Sequence, residues 1–275
     1  MKHIKSLGFI SLITLSMSVL ASQDLEKGKA FYRDYNYSEA FTYFSKEAER
    51  NNAEAIYYLG NMYRFGESIP KDLDKAEHLY QKAFKLFNQM AQEKDATAVM
   101  YLGQMYHFGN GTKRDTEKGI QLFLQADKLG NGKASSYLAS YFERLKEPNK
   151  AFYFAKRSAE RGERYGRVAK YYETGYGTEV NYEKAFEFYK KAAENKKNKE
   201  LNEISRLSDI YLNGELNVPQ DYDKAIYWLN KLGNKRLLGL AYQKMGKTQL
   251  AKKYLTEACE EHDGGACFYK KALHY

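Results

Sequence analysis

Apolar and polar positions along this chain follow the period of a helix. In YLGNMYRFGESIPKDLDKA, which starts at Tyr58, Leu59 and Tyr63 are four residues apart and so share one helix face. Three further segments carry the same order: YLGQMYHFGNGTKRDTEKG from Tyr101, RVAKYYETGYGTEVNYEKA from Arg167 and RLSDIYLNGELNVPQDYDKA from Arg206. In each, an aliphatic residue precedes a small one, an aromatic comes three positions later, and a glycine follows. Gly66, Gly109, Gly175 and Gly214 are placed to end a helix, because glycine tolerates the left-handed backbone of a C-terminal cap. Asp72, Asp115, Asn181 and Asp221 then stand six or seven residues on as N-caps of a second helix. The acids Asp74, Glu117, Glu183 and Asp223 suit the positive start of that helix. Ala76, Gly119, Ala185 and Ala225 let the second helix approach the first, and Tyr80, Phe123, Tyr189 and Trp228 are expected to fill the space between repeats.

Looser copies surround Ala40, Ala151 and Ala251. The column Ala40, Ala76, Gly119, Ala151, Ala185, Ala225, Ala251 steps by 36, 43, 32, 34, 40 and 26 residues. That period belongs to a two-helix repeat. The expected fold is therefore all-α, an α/α superhelical solenoid of about seven helix–turn–helix pairs closed by a terminal half-repeat. The 43-residue step predicts a second helix in pair two that is longer by about two turns and projects from one edge.

The N-terminus departs from this pattern. Lys2 and Lys5 precede an apolar stretch from Leu7 to Leu20, and Val19-Leu20-Ala21 offers small residues for cleavage. That is the layout of a secretory leader. The stretch is short for a membrane span, which needs about 20 apolar residues, so an uncleaved anchor is the weaker alternative. Residues 1–21 are read as a signal peptide and 22–275 as the repeat array. The expected location is periplasmic or secreted, without stable membrane insertion of the mature chain.

Net charge is +9, and 42 basic against 35 acidic residues remain once Lys2 and Lys5 are removed. Basic chains often bind nucleic acid. Here the cations alternate with acids, as in EKAFEFYKKAAENKKNKE, and export argues against such a ligand; no nucleic acid is expected.

The recurring pattern A…YLG..Y..G.G…D..KA..LY.KA resembles the Sel-one-like repeat, a relative of the tetratricopeptide repeat. The resemblance runs over roughly residues 25–275, although the pair around Ala151 lacks the Gly-x-Gly loop and the pair around Ala251 is shortened. The C-terminal segment, with Cys259 and Cys267, is also similar to the cysteine-rich secreted branch of that family, which implies a disulfide between these two. Two cysteines flanking the short turn His262-Asp263-Gly264-Gly265 agree with that pairing in an exported chain. A Cys/His metal site using His262 is the alternative, but further ligands are not in view.

Two strings look catalytic. Ser68-Ile69-Pro70-Lys71 fits the S-x-x-K of penicillin-recognising enzymes, without the partner motifs. AYQKMGKT, from Ala241, fits a relaxed phosphate loop but follows a helical pattern and no strand. His78, His107, His262 and His274 have no metal spacing. No catalytic residue, metal or cofactor is assigned.

The family resemblance implies a protein-binding module. In tetratricopeptide relatives, fixed positions on the first helix of each pair line a concave groove. Carried over, these are Tyr57, Asn61, Arg64, Met100, Gln104, His107, Ser136, Ser140, Lys170 and Asp209. The expected partner is a protein or peptide held there. Two alternatives come from the same resemblance. One is an immunity or accessory protein that neutralises a periplasm-acting toxin. The other is a β-lactam-binding or weakly hydrolysing enzyme.

Overall fold

The computed structural model of the chain describes residues 23–195 and 200–274; the expected leader lies outside them. Contacts divide the chain between Asn131 and Gly132 into two compact units. The N-terminal unit comprises α1 (residues 23–33), α2 (Tyr37–Glu49), α3 (Ala53–Phe65), α4 (Leu73–Gln92), α5 (Ala96–Phe108) and α6 (Thr116–Lys128). The C-terminal unit comprises α7 (Gly132–Arg144), α8 (Pro148–Glu160), α9 (Tyr165–Thr174), α10 (Tyr182–Glu194), α11 (Leu201–Asn213), α12 (Tyr222–Leu232), α13 (Lys235–Lys244), α14 (Thr248–Glu260) and α15 (Gly264–Ala272). Each odd helix from α3 to α13 packs against the even helix that follows it. The described residues are helical without a strand. The all-α solenoid class and the order of its pairs are as expected.

The local chemistry behind each pair is regular. Gly66, Gly109, Gly175 and Gly214 end their helices at φ 75, 73, 72 and 72°. Asp72, Asp115, Asn181 and Asp221 cap α4, α6, α10 and α12 by accepting the amides of Lys75, Lys118, Lys184 and Lys224. A lysine at this third helical position opposes the helix dipole, where glutamate is the usual choice. The fold compensates. Each lysine ammonium lies over an aromatic ring of the preceding helix: Tyr63 at 4.2 Å, Tyr106 at 4.1 Å, Tyr172 at 5.3 Å and Tyr211 at 5.4 Å.

Between the helices of a pair the expected small and large residues meet. The column from Ala40 to Ala251 is buried throughout, and Tyr80, Phe123, Tyr189 and Trp228 are buried beside it. A methyl group on Gly60 would stand 2.7 Å from the Tyr80 ring, and one on Gly103 2.8 Å from Phe123. The rings lie directly on the backbone there, so an added methyl would force them to shift.

The long second helix of pair two is present: α4 has 20 residues where α6 has 13. Its extension does not project free. Phe87 is fully buried and stacks on Tyr101 of α5 at 4.8 Å. The two added turns therefore widen the apolar contact with the next repeat.

At the far end, Cys259 of α14 and Cys267 of α15 are at disulfide distance, with Cα atoms 4.7 Å apart. This pair leaves no cysteine for the metal alternative. The half-repeat α15 has only Ala266 fully buried, so the bond supplies much of its attachment. Cys267→Ser is expected to lower stability by about 2–3 kcal/mol, the chain-entropy value for so short a loop. Hydrogen exchange of the α15 amides checks this: protection should fall in the variant and in reduced wild type alike.

Candidate functional site

The expected contact positions fall on first helices of the repeats, and the two units present different chemistry there. In the N-terminal unit, Asn61 Oδ1 accepts the Tyr80 hydroxyl at 2.7 Å. Arg64 Nη1 donates to Asn110 Oδ1 at 2.6 Å, and Asn110 Nδ2 donates to the Tyr57 hydroxyl at 3.4 Å. Burial pushes the Tyr80 hydroxyl up to about 12. The Arg64 guanidinium also lies 5.9 Å from the centre of the Phe65 ring. Phe65 and Leu73 are 64% and 59% exposed. With Arg64, Lys71, Glu77 and Tyr80 they line an open cleft of about 460 Å³. Glu77 accepts from Gln81 and from the Gly111 amide, and Arg64 and Lys71 outnumber its one negative charge in the cleft lining.

Three expected contact residues are corrected by burial. Tyr57, Met100 and Gln104 are 6%, 1% and 8% exposed and offer no surface to a partner. Tyr57 sits among the rings of Tyr58, Tyr80 and Tyr101. Met100 and Gln104 belong to a run of eight buried residues, Ala98 to Met105. A helix that is apolar all round is covered all round, which overrides positions carried from an amphipathic repeat. His107 stays half-buried, edge-on to Phe108.

In the C-terminal unit, Ser140 Oγ donates to the Ser136 carbonyl at 3.1 Å and accepts from Arg167 of α9 at 2.7 Å. Arg167 also pairs with Glu143 at 3.3 Å. Lys170 is exposed. Asp209 is half-buried and its carboxyl is raised by burial, with Arg206 acting in the opposite direction. Arg206 bridges Glu173 and Glu215, both at 2.5 Å, and the Tyr189 hydroxyl donates to Glu173 at 2.5 Å.

The sequence reading missed Glu67, Asn110 and Glu215. Each directly follows a helix-ending glycine, and its amide donates to the carbonyl five residues back: Met62, Met105 and Ile210. This bond of the left-handed cap turns the side chain over neighbouring helices at Glu67 and Asn110, and back onto its own helix at Glu215. Glu67 accepts from Tyr32, Asn110 serves Arg64, and Glu215 holds Arg206. The signal was available, since a polar residue or tyrosine (Glu67, Asn110, Tyr176, Glu215) stands there in all four clear copies.

Ser68 and Lys71 lie in the exposed loop between α3 and α4, and the Gly246-Lys247-Thr248 string follows helix α13. Among the described residues, no group of three or more His, Cys, Asp or Glu side chains could hold a metal, and no helix is long and apolar enough to cross a membrane. What the site offers is fixed polar groups beside uncovered apolar ones.

Comparisons with known proteins bear on the family and the fold. The family model of the Sel1 repeat matches six segments: 17–52, 53–88, 96–131, 134–163, 164–197 and 204–235. The structure is similar to that of a Sel1 repeat protein from Oxalobacter formigenes, at 26% identity and a TM-score of 0.56, over 86% of this chain and 99% of that one. It shares its fold with c5321, a protective antigen of uropathogenic Escherichia coli (20% identity, TM-score 0.51, 92% and 56% of the two chains). It also shares its fold with the immunity protein Pa5087 of Pseudomonas aeruginosa (22% identity, TM-score 0.53, 74% and 80%). No curated protein matches the chain.

Proposed function

Because this chain belongs to the Sel1 repeat family, whose repeats generally mediate protein binding, we propose that it is an exported, non-catalytic module that holds a protein or peptide against the first helices of its repeats. The observation that carries this reading is the N-terminal cluster. Asn61, Arg64, Tyr80 and Asn110 are locked to one another beside exposed Phe65 and Leu73. Buried Tyr80 and Asn110 hold half-buried Asn61 and Arg64 in place, which lowers the entropy those two lose on binding, and the uncovered side chains of Phe65 and Leu73 supply apolar area. Export is supported by the leader-like residues 1–21 and by the cysteine pair, since disulfides persist in oxidising compartments.

The test is capture of partners from periplasmic extract by the mature chain and by the variant Arg64→Ala/Phe65→Ser/Leu73→Ser. The variant alters exposed or half-buried positions and should keep its helical circular dichroism. Its partner affinity is expected to fall at least about tenfold, as when a buried arginine–aromatic hot spot is lost. Undiminished capture by a folded variant refutes this placement. A chromogenic β-lactam assay is expected to show neither binding nor turnover, which separates this reading from the enzyme alternative. A single tight partner encoded nearby would specify toxin neutralisation.

A further inference from the structure

Two stretches carry Asn-x-Ser/Thr, the acceptor signal for N-linked oligosaccharide in exported proteins: Asn36-Tyr37-Ser38 and Asn110-Gly111-Thr112. The fold treats them in opposite ways. Asn110 is 5% exposed, and its side chain is bonded to Arg64 and Tyr57. A Cβ on its neighbour Gly111 would lie 2.5 Å from the backbone of Tyr80, so the loop is pressed onto α4. No enzyme can reach that amide in the folded chain.

Asn36 stands in the tight turn between α1 and α2. Asp34, Asn36 and Ser38 are all exposed, and Tyr35 is 78% exposed. Asn36 is the N-cap residue of α2, yet its side chain makes no capping bond. Asn52, Asn181 and Asn234 occupy the same position before α3, α10 and α13, and each caps through its side chain. The Asn36 backbone is held, with its amide on Phe31 and its carbonyl accepting from Ala40. Only its carboxamide is uncommitted. The opening amides of a helix have no partner within it, so the signal can extend in an active site by opening the first turn of α2, which gives up the contact of Tyr37 with Tyr32.

We infer that Asn36 is an N-glycosylation acceptor, a reading that rests on the proposed export. In the transfer, Asn36 Nδ2 bonds to the anomeric carbon of an oligosaccharide carried on a lipid pyrophosphate. The carbon–oxygen bond to pyrophosphate breaks, the lipid pyrophosphate leaves with the electron pair, and one amide proton passes to a carboxylate of the transferase.

To test this, the full chain is produced in a bacterial host that carries an N-oligosaccharyltransferase and its lipid-linked donor, and the protein is examined by intact and peptide mass spectrometry. The tryptic peptide 34–46 should gain one oligosaccharide, with occupancy at least about tenfold above that of Asn110. Asn36→Gln and Ser38→Ala should abolish the gain, and Thr112→Ala, which deletes the second signal without touching Asn110, should leave it unchanged. The same spectra read the N-terminus. A bare Asn36 in chains cleaved after the leader overturns the site and leaves export standing. Chains that keep the leader and stay in the cytoplasmic fraction overturn export instead. The site is then decided on purified folded protein given transferase and donor in detergent, where a bare Asn36 overturns it.

Discussion

Raising the pH above about 10 is expected to unfold this protein through its buried tyrosines. Tyr80, Tyr101, Tyr171 and Tyr189 are 1–4% exposed, and burial is the leading cause that raises each hydroxyl above the ordinary tyrosine value. Tyr80 reaches about 12. A group raised in the folded state favours its protonated form there. Its stabilisation is therefore complete below the unfolded value of about 10 and is lost as pH climbs toward the folded one. Above that onset each residue removes about 1.4 kcal/mol per pH unit. Four together remove on the order of 5 kcal/mol over the first unit, comparable with the whole stability of many domains. Urea midpoints measured from about pH 9 to 12, with tyrosinate absorbance followed in parallel, should show the midpoint collapsing while much of the tyrosine is still un-ionised. A midpoint that stays level across that range would contradict the account.

Gly177→Ala is expected to be the most damaging single methyl in the C-terminal unit. Gly177 has φ 71°, and a Cβ there would stand 2.1 Å from the Pro148 carbonyl oxygen, in the opening turn of α8. The left-handed backbone alone costs a side chain about 1–2 kcal/mol. Forcing loop and helix apart adds about 1–3 kcal/mol of overpacking, and the obstacle is backbone, which cannot rotate away. The total is about 2–5 kcal/mol. Gly246→Ala carries the first part alone: its φ is also 71°, but a Cβ there meets nothing within 4 Å. Urea denaturation of both variants should show Gly177→Ala losing at least about 1 kcal/mol more than Gly246→Ala. Equal losses would mean that the loop–helix contact is soft.

The two glycines show how legibility divides. That Gly175 ends a helix follows from its place after an apolar face, because helix caps are chosen by residues within one turn of chain. That Gly177 must be glycine does not, because Pro148 is 29 residues away in sequence and touches it only after the pairs have stacked. The aromatic column behaves likewise. Burial of Tyr80 and Tyr189 could be anticipated from spacing, but not that their hydroxyls would find Asn61 and Glu173. At the candidate site, Arg64 and Asn61 were named from repeat position, and the structure supplies their partners Asn110 and Tyr80. Asn110 was hidden inside a turn motif, and Tyr57, Met100 and Gln104 were placed on a surface that burial removes.

By itself, the sequence determined the helix pairs, their caps, their order along the chain and the cysteine pair. Each is written in residues a few positions apart, and short-range chemistry is the same in every copy. Tertiary structure alone decided which polar side chains are locked, which rings are uncovered beside Arg64, and that the extension of α4 is anchored by Phe87 on Tyr101. It also decided which of two identical-looking asparagine signals faces water. Those outcomes depend on helices from successive repeats closing over one another, and a periodic sequence repeats its local instructions without stating which faces that closure will cover.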